Sequence, residues 1–243
     1  MKNNKIDTFK DELSLIKSKD VKELAKDIIN GADDWFFIEP ASSSGKYHPD
    51  FAREVGGLVL HTKAVVYFLK ELVRSELYDI TEREVDLLIL SAIAHDIKKF
   101  GDVNNGHTVK NHPELGAKYV KTINEQKCKI PSSDMDFVEK CIISHMGVWG
   151  DVKPTTEAEK LLHISDLLAS RKEIDLKFSK ESRKTITPSL DDYVLDFGMH
   201  RGKTLKEVPN DYLEWGIKSI DKNPVFKKLA KQVLEERKQE VKV

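Results

Sequence analysis

Up to about residue 175, apolar and charged positions recur with the period of a helix rather than a strand. Between residues 5 and 30, charges separate Phe9, Leu13, Ile16, Val21, Leu24, Ala25 and Ile28, a pattern of one or two amphipathic helices ending at Gly31. In GGLVLHTKAVVYFLKEL, Val65, Phe68 and Leu72 follow His61 at helical spacing and predict a helix running to about Leu77. Thr81 and Glu84 have the S/T-x-x-E spacing of a capping box, which would start the next helix and carry it into ILSAIAHDIKKFG. Phe137, Val138, Cys141 and Ile142 lead along one face to His145, and Thr156 with Glu159 predicts a second box launching the helix of Leu162, Asp166 and Ala169. The expected fold is mainly α.

The pattern lapses at identifiable places. Trp35, Phe36 and Phe37 sit together between the first helices and the core, where they would dock one onto the other or, alternatively, stack a base. Residues 41–49, ASSSGKYHP, form a loop by composition; Ser42 to Lys46 and His48 stand there as a site entrance for phosphate or as a plain connection. Residues 102–111 and 147–154 are loops as well, and Trp149 in the latter would stack a nucleobase or plug a gap. Residues 177–192 are polar with little periodicity and are expected to be a linker. Beyond them, short alternating strands around a Gly-containing turn precede a helix with Tyr212, Leu213 and Trp215, and a charged last helix spans 225–238.

The chemistry concentrates where polar groups interrupt apolar faces. His95 and Asp96 close an apolar segment, and burying an ionised carboxylate is costly unless a cation or hydrogen-bond donors meet it. His61, His145 and Asp166 likewise fall on apolar faces, and His112 opens HPELGAKYV. One such histidine is most simply a core residue bonded to a backbone carbonyl. Six ligand-type side chains, most of them on inward helix faces, point instead to a metal site. Histidine and carboxylate donors suit Mn, Fe, Ni, Co or Zn better than an all-oxygen magnesium site.

The order His61, His95-Asp96, His112, His145, Asp166, with the words GGLVLHT, AIAHDIKKFG, NHPELGA, ISHMG and HISDLLASR, resembles the HD-domain metal-dependent phosphohydrolases over about residues 45–175. Within them it is most similar to the HD domains of 3′-to-5′ exoribonucleases, although Lys98 replaces the glycine usual after the HD-Ile. The C-terminal stretch resembles a small module appended to some exonucleases, through Phe197, Gly198, Gly202, Lys203, Leu205, Val208, Pro209, Tyr212, Leu213 and Trp215, with His200 departing. These resemblances imply an HD-type helical bundle with a small C-terminal α+β module. The parts would be an N-terminal helical segment at 1–40, the HD domain at 41–176, the linker at 177–192 and the module at 193–243.

The HD resemblance also implies roles. His61, His95, Asp96 and Asp166 would hold one divalent ion, and Asp96 would bridge to a second held by His112 and His145. Asp96, Lys99 and Arg171 would be catalytic, the two cations neutralising charge on phosphate. Lys46 and His48, with Trp149 from its loop position, are the candidate substrate-binding residues. His107 is a lesser alternative to His112, and His163 is left out because no family word places a ligand there. No general acid is identifiable.

Composition sets bounds on this picture. At 243 residues the chain holds one large domain, or a medium domain with a small appendage, and 40% hydrophobic with 33% charged residues is a globular balance. A net charge of −1 gives no global attraction to phosphate, so tight sequence-independent binding to long duplexes is not expected from charge alone, which leaves a local basic face open. Cys128 and Cys141 lack CxxC spacing, which argues against a zinc knuckle or redox motif. The mostly apolar run Leu87 to Ala94 is too short for a bilayer, and the N-terminus lacks a signal-peptide core, so a cytoplasmic protein is expected. The expected function is an exonuclease or phosphodiesterase acting on nucleotide or short single-stranded nucleic acid. Alternatives are a nucleotidase, a nucleotide-sensing HD module without turnover, and an interaction protein working through its last 50 or so residues.

Overall fold

The helix bearing His61 begins where two glycines let the backbone turn. Gly56 adopts φ +76°, and a Cβ on Gly57 would fall 2.3 Å from the Ala52 carbonyl oxygen, so the chain leaves a 3-10 turn at Asp50–Ala52 and enters the helix at close quarters. The computed structural model describes residues 5–42, 48–103, 106–179, 190, 193–195, 197–220 and 223–240. The chain divides into two compact units, residues 1–186 and 187–243. The described residues are mainly helical.

In the first unit, α1 (Lys5–Thr8), α2 (Lys10–Leu15) and α3 (Lys19–Gly31) form the N-terminal segment, followed by α4 (Gly57–Arg74), α5 (Glu82–Ala94), α6 (His112–Lys127), α7 (Ser132–Ser144) and α8 (Glu157–Ala169). α5 is the central element. Every residue from Asp86 to Ala94 is buried, and the helix packs against α3, α4, α7 and α8. α4 lies along α8, and α6 pairs with α7. The ends of α5, α6 and α7 and the flanks of α4 and α8 therefore converge.

The expected segment between residues 5 and 30 is three helices rather than one or two. Its last break, before α3, is set from outside: both carboxylate oxygens of the buried Asp86 on α5 accept backbone N–H bonds, from Lys17 at 2.9 Å and Ser18 at 2.7 Å. Those amides would otherwise be orphans at a helix start. Arg83 on the same helix reaches Asp20 on α3 and Asp134 on α7, tying three helices together. Phe36 and Phe37 are fully buried against Phe9, and Trp35 packs edge-on to Phe100, so the aromatic cluster docks the N-terminal helices.

Helix ends depart from the pattern in two places. α4 stops at Arg74, short of Leu77, as Glu76 takes φ +58° and Leu77 is left exposed, with no core to reward another turn. The Thr81–Glu84 capping box forms as expected. At α8 the box is only half made: Thr156 accepts from the Glu159 amide, but the Glu159 carboxylate turns to the amide and hydroxyl of Thr155.

In the second unit, α9 (Asn210–Ser219) packs against α10 (Pro224–Glu240), with Leu205, Leu213, Phe226, Leu229, Ala230 and Val233 buried. Here the α+β expectation needs correction. Among the described residues the strands reduce to a single bridge between Val194 and Thr204, with Leu195 and Lys203 bonded at 2.9 Å. Gly198 and Gly202, both at positive φ, fold the intervening residues into turns, which leaves too little extended chain for a ladder.

Candidate metal centre

Each of the six sequence-predicted ligand residues reaches the centre from a different backbone setting. His61 lies within α4 and Asp166 within α8, facing each other where these helices pack. His95 caps the C-terminus of α5, and Asp96 follows it in a turn rather than on the helix. His112 is the first residue of α6, and His145 caps the C-terminus of α7. All four histidines and Asp96 are buried, and Asp166 is largely so.

Three of the imidazoles are held the same way. The Nδ1 atoms of His95, His112 and His145 donate to the carbonyl oxygens of Ala92, Val109 and Ile142, each three residues back, at 2.7–2.8 Å. A carbonyl can only accept, so the proton of each neutral ring sits on Nδ1 and the Nε2 lone pair faces inward. His95 and His61 bring their Nε2 atoms to 3.4 Å, and His112 and His145 to 3.3 Å. The facing lone pairs of His112 and His145 call for a cation between them.

Asp96 joins the two halves. Its Oδ2 lies 3.6 Å from His61 Nε2 and 3.4 Å from His95 Nε2, while its Oδ1 lies 3.1 Å from His112 Nε2 and 3.7 Å from His145 Nε2. Asp166 Oδ1 completes the first group, 3.0 Å from His61 and 3.8 Å from His95. Asp96 Oδ1 and His61 Nδ1 are buried without hydrogen-bond partners. Within the centre two carboxylates face one ammonium, that of Lys99, which lies 2.5 Å from Asp96 Oδ2. An orphaned carboxylate oxygen, inward lone pairs and an excess of negative charge fit a divalent cation, and the nitrogen–oxygen donors suit a transition metal.

The electrostatics follow from burial and these neighbours. Burial would raise the Asp96 carboxyl, but the Lys99 ammonium outweighs it and holds it well below the usual range. Asp166 is held low against burial by His61 and His95. Burial lowers His61, and it lowers His145 to about 3. For His95 itself burial is outweighed by Asp96 and Asp166, which raise it.

A cavity of about 560 Å³ opens onto this centre. Asp96, Lys99, His112 and Asp166 line its floor, and Ser42, His48, Thr108, Ser170 and Arg171 its polar sides. Met146, Trp149 and Leu167 make an apolar wall. The proposed catalytic Lys99 is buried and committed to Asp96, whereas Arg171 is exposed at the cavity edge. His48 stands edge-on to His61 at 5.4 Å, and burial lowers its imidazole to about 3. Trp149 is 59% exposed. Lys46 lies outside the described residues.

His163, left out at the sequence level, also lines the cavity. It stands one helical turn before Asp166, and its Nδ1 donates to the His145 carbonyl at 2.7 Å. The H-x-x-D spacing on one helix face was the signal available. His107, the lesser alternative to His112, is exposed and does not line the cavity, while His112 does.

No helix among the described residues is long and apolar enough to cross a membrane. No curated protein and no solved structure gives a significant match to the chain. Residues 58–171 match the family model described as HD domain, and this match, over a segment that holds all six clustered histidines and aspartates, supports placing the region in the HD superfamily.

Proposed function

We propose that the protein is a metal-dependent phosphohydrolase that cleaves phosphoester bonds in nucleotides or short single-stranded nucleic acid, with exonuclease or phosphodiesterase action as the first choice. The observation that carries this reading is the shared Asp96 carboxylate, one oxygen among His61, His95 and Lys99 and the other between His112 and His145, at the floor of a cavity wide enough for a nucleotide. His61, His95, Asp96 and Asp166 would hold one ion, and Asp96, His112 and His145 a second. Mn, Fe, Ni, Co and Zn are the candidates. When bound, such ions supply Lewis-acid polarisation of the phosphoryl group and a lower pKa for water.

The side chains around the floor have complementary tasks. Arg171, exposed at the edge with its planar guanidinium, meets phosphate oxygens. Lys99 keeps Asp96 ionised and adds positive charge under the phosphate. His48 closes the side next to His61, and Trp149 offers a flat face to a base. The similarity of the sequence words to exoribonuclease HD domains, and of residues 193–243 to a module appended to exonucleases, favours a phosphodiester over a phosphomonoester. We read the protein as cytoplasmic, consistent with two free cysteines.

The test is metal-dependent turnover of a 3′-labelled oligonucleotide and a panel of mononucleotides by wild type and Asp96→Ala. Shortening of the oligonucleotide by wild type alone is the expected result. Release of phosphate from mononucleotides only would make the protein a nucleotidase. Metal binding with no turnover of either would make it a nucleotide sensor.

A further inference from the structure

His163 has two ring nitrogens with different surroundings. Nδ1 donates to the backbone carbonyl of His145, which places the proton of the neutral ring there and leaves Nε2 as a hydrogen-bond acceptor. The ring lines the cavity and is not fully buried. Its position depends on Gly147. That residue holds φ +55°, and a Cβ there would fall 2.2 Å from His163 Cε1 and 2.5 Å from Nε2. Trp149, two residues on, brings its ring to 6.2 Å from the imidazole. The tight turn Gly147–Trp149 and α8 thus build one wall, with an aromatic face beside an acceptor.

His163 and Asp166 stand three positions apart on α8, so the two project from one face about 5–6 Å apart at their Cβ atoms. A nucleotide whose phosphate is held at the Asp166 end and whose base lies on the Trp149 side carries its sugar past this acceptor. The donors of a nucleotide are ribose hydroxyls, exocyclic amines and the ring N–H groups of guanine and uracil, and only the hydroxyls are common to every base. We propose that His163 reads the substrate sugar, its Nε2 accepting a hydrogen bond from the ribose 2′-hydroxyl, so that the site prefers ribonucleotides to their 2′-deoxy counterparts. The inference rests on the phosphohydrolase reading above and adds the sugar to it.

Two substitutions separate the contact from the structural role of the same ring. His163→Asn keeps a donor near the position of Nδ1, able to bond the His145 carbonyl, and removes the acceptor at the position of Nε2. His163→Gln places its amide oxygen near Nε2 and forgoes the inner bond. The measurement is kcat/KM for matched ribo- and 2′-deoxyribo-oligonucleotides in the full chain loaded with Mn, with bound metal and thermal midpoint recorded for each variant. Wild type is expected to prefer the ribo substrate by about tenfold or more, a margin in the range of a single lost hydrogen bond. His163→Asn is expected to bring the ratio near one with metal content unchanged, and His163→Gln to keep most of the preference. Wild type active on both substrates at equal rates, or a preference that survives in His163→Asn, overturns the inference and leaves the phosphohydrolase reading standing. Wild type inert on every substrate with metal bound overturns both.

Discussion

The Nε2 atoms of His112 and His145 stand 3.3 Å apart, each ring fixed from behind by a backbone carbonyl three residues earlier, and Asp96 Oδ1 lies within 3.1 and 3.7 Å of them. This geometry predicts a strong coupling of metal to stability. A ligand that binds only the folded state adds RT ln(1 + [L]/Kd), about 2.7 kcal/mol at a hundredfold excess over Kd. Adding Mn or Zn to chelator-treated protein should raise the thermal midpoint by about 5 °C or more. His112→Ala should lower the bound-metal stoichiometry and reduce that rise. An equal midpoint with and without metal, measured by calorimetry, would count against the centre.

Gly147→Ala should destabilise the protein by about 1–3 kcal/mol, because a side chain at φ +55° is strained and its Cβ would collide with the His163 ring. Denaturant unfolding gives the loss directly. Gly106→Ala serves as the control for strain alone, since its φ of +69° is also positive but a Cβ there meets nothing within 4 Å. The Gly147 variant should lose more.

Stability should fall as pH drops below neutrality. An unfolded histidine takes up a proton near pH 6.5, whereas burial holds His48 and His145 near 3, so the unfolded state binds more protons in between. Their contribution is complete above about pH 6.5 and is lost progressively toward pH 3. Urea unfolding of chelator-treated protein between pH 7.5 and 5 should show the decline, and His48→Gln should make it shallower. A slope identical in wild type and variant would show that His48 protonates freely in the folded state.

Asp86→Ala should cost about 2 kcal/mol, because it strands two amides that have no other partner at the start of α3. Asp86→Asn, with one acceptor oxygen left, should fall between variant and wild type. Hydrogen exchange at Lys17 and Ser18 locates the effect. Protection there unchanged in Asp86→Ala would mean that α3 is capped by other means.

Much of the first unit could be derived from residue order. The helical period is a local property, so α4, α5, α7 and α8 were legible, as was the capping box at Thr81 and Glu84, where all partners lie within four residues. The set of ligand-type residues was legible because histidines and aspartates on apolar faces are conspicuous against a core. What the chain order could not give was distance. That the two Asp96 oxygens face different histidine pairs, that Lys99 is spent on Asp96, and that His163 reaches the cavity all depend on how α5, α6, α7 and α8 meet. Asp86 is similar: on its own helix it is an unexplained buried acid, and only packing against Lys17 and Ser18 makes it a cap. In the second unit, alternation predicted strands, but among the described residues two glycines at positive φ turn the segment back and the pairing is a single bridge. Sequence determined the elements and the chemistry carried on them, since both depend on near neighbours. Tertiary structure decided which groups share a site, because that depends on contacts between residues up to about a hundred positions apart, such as His61 and Asp166.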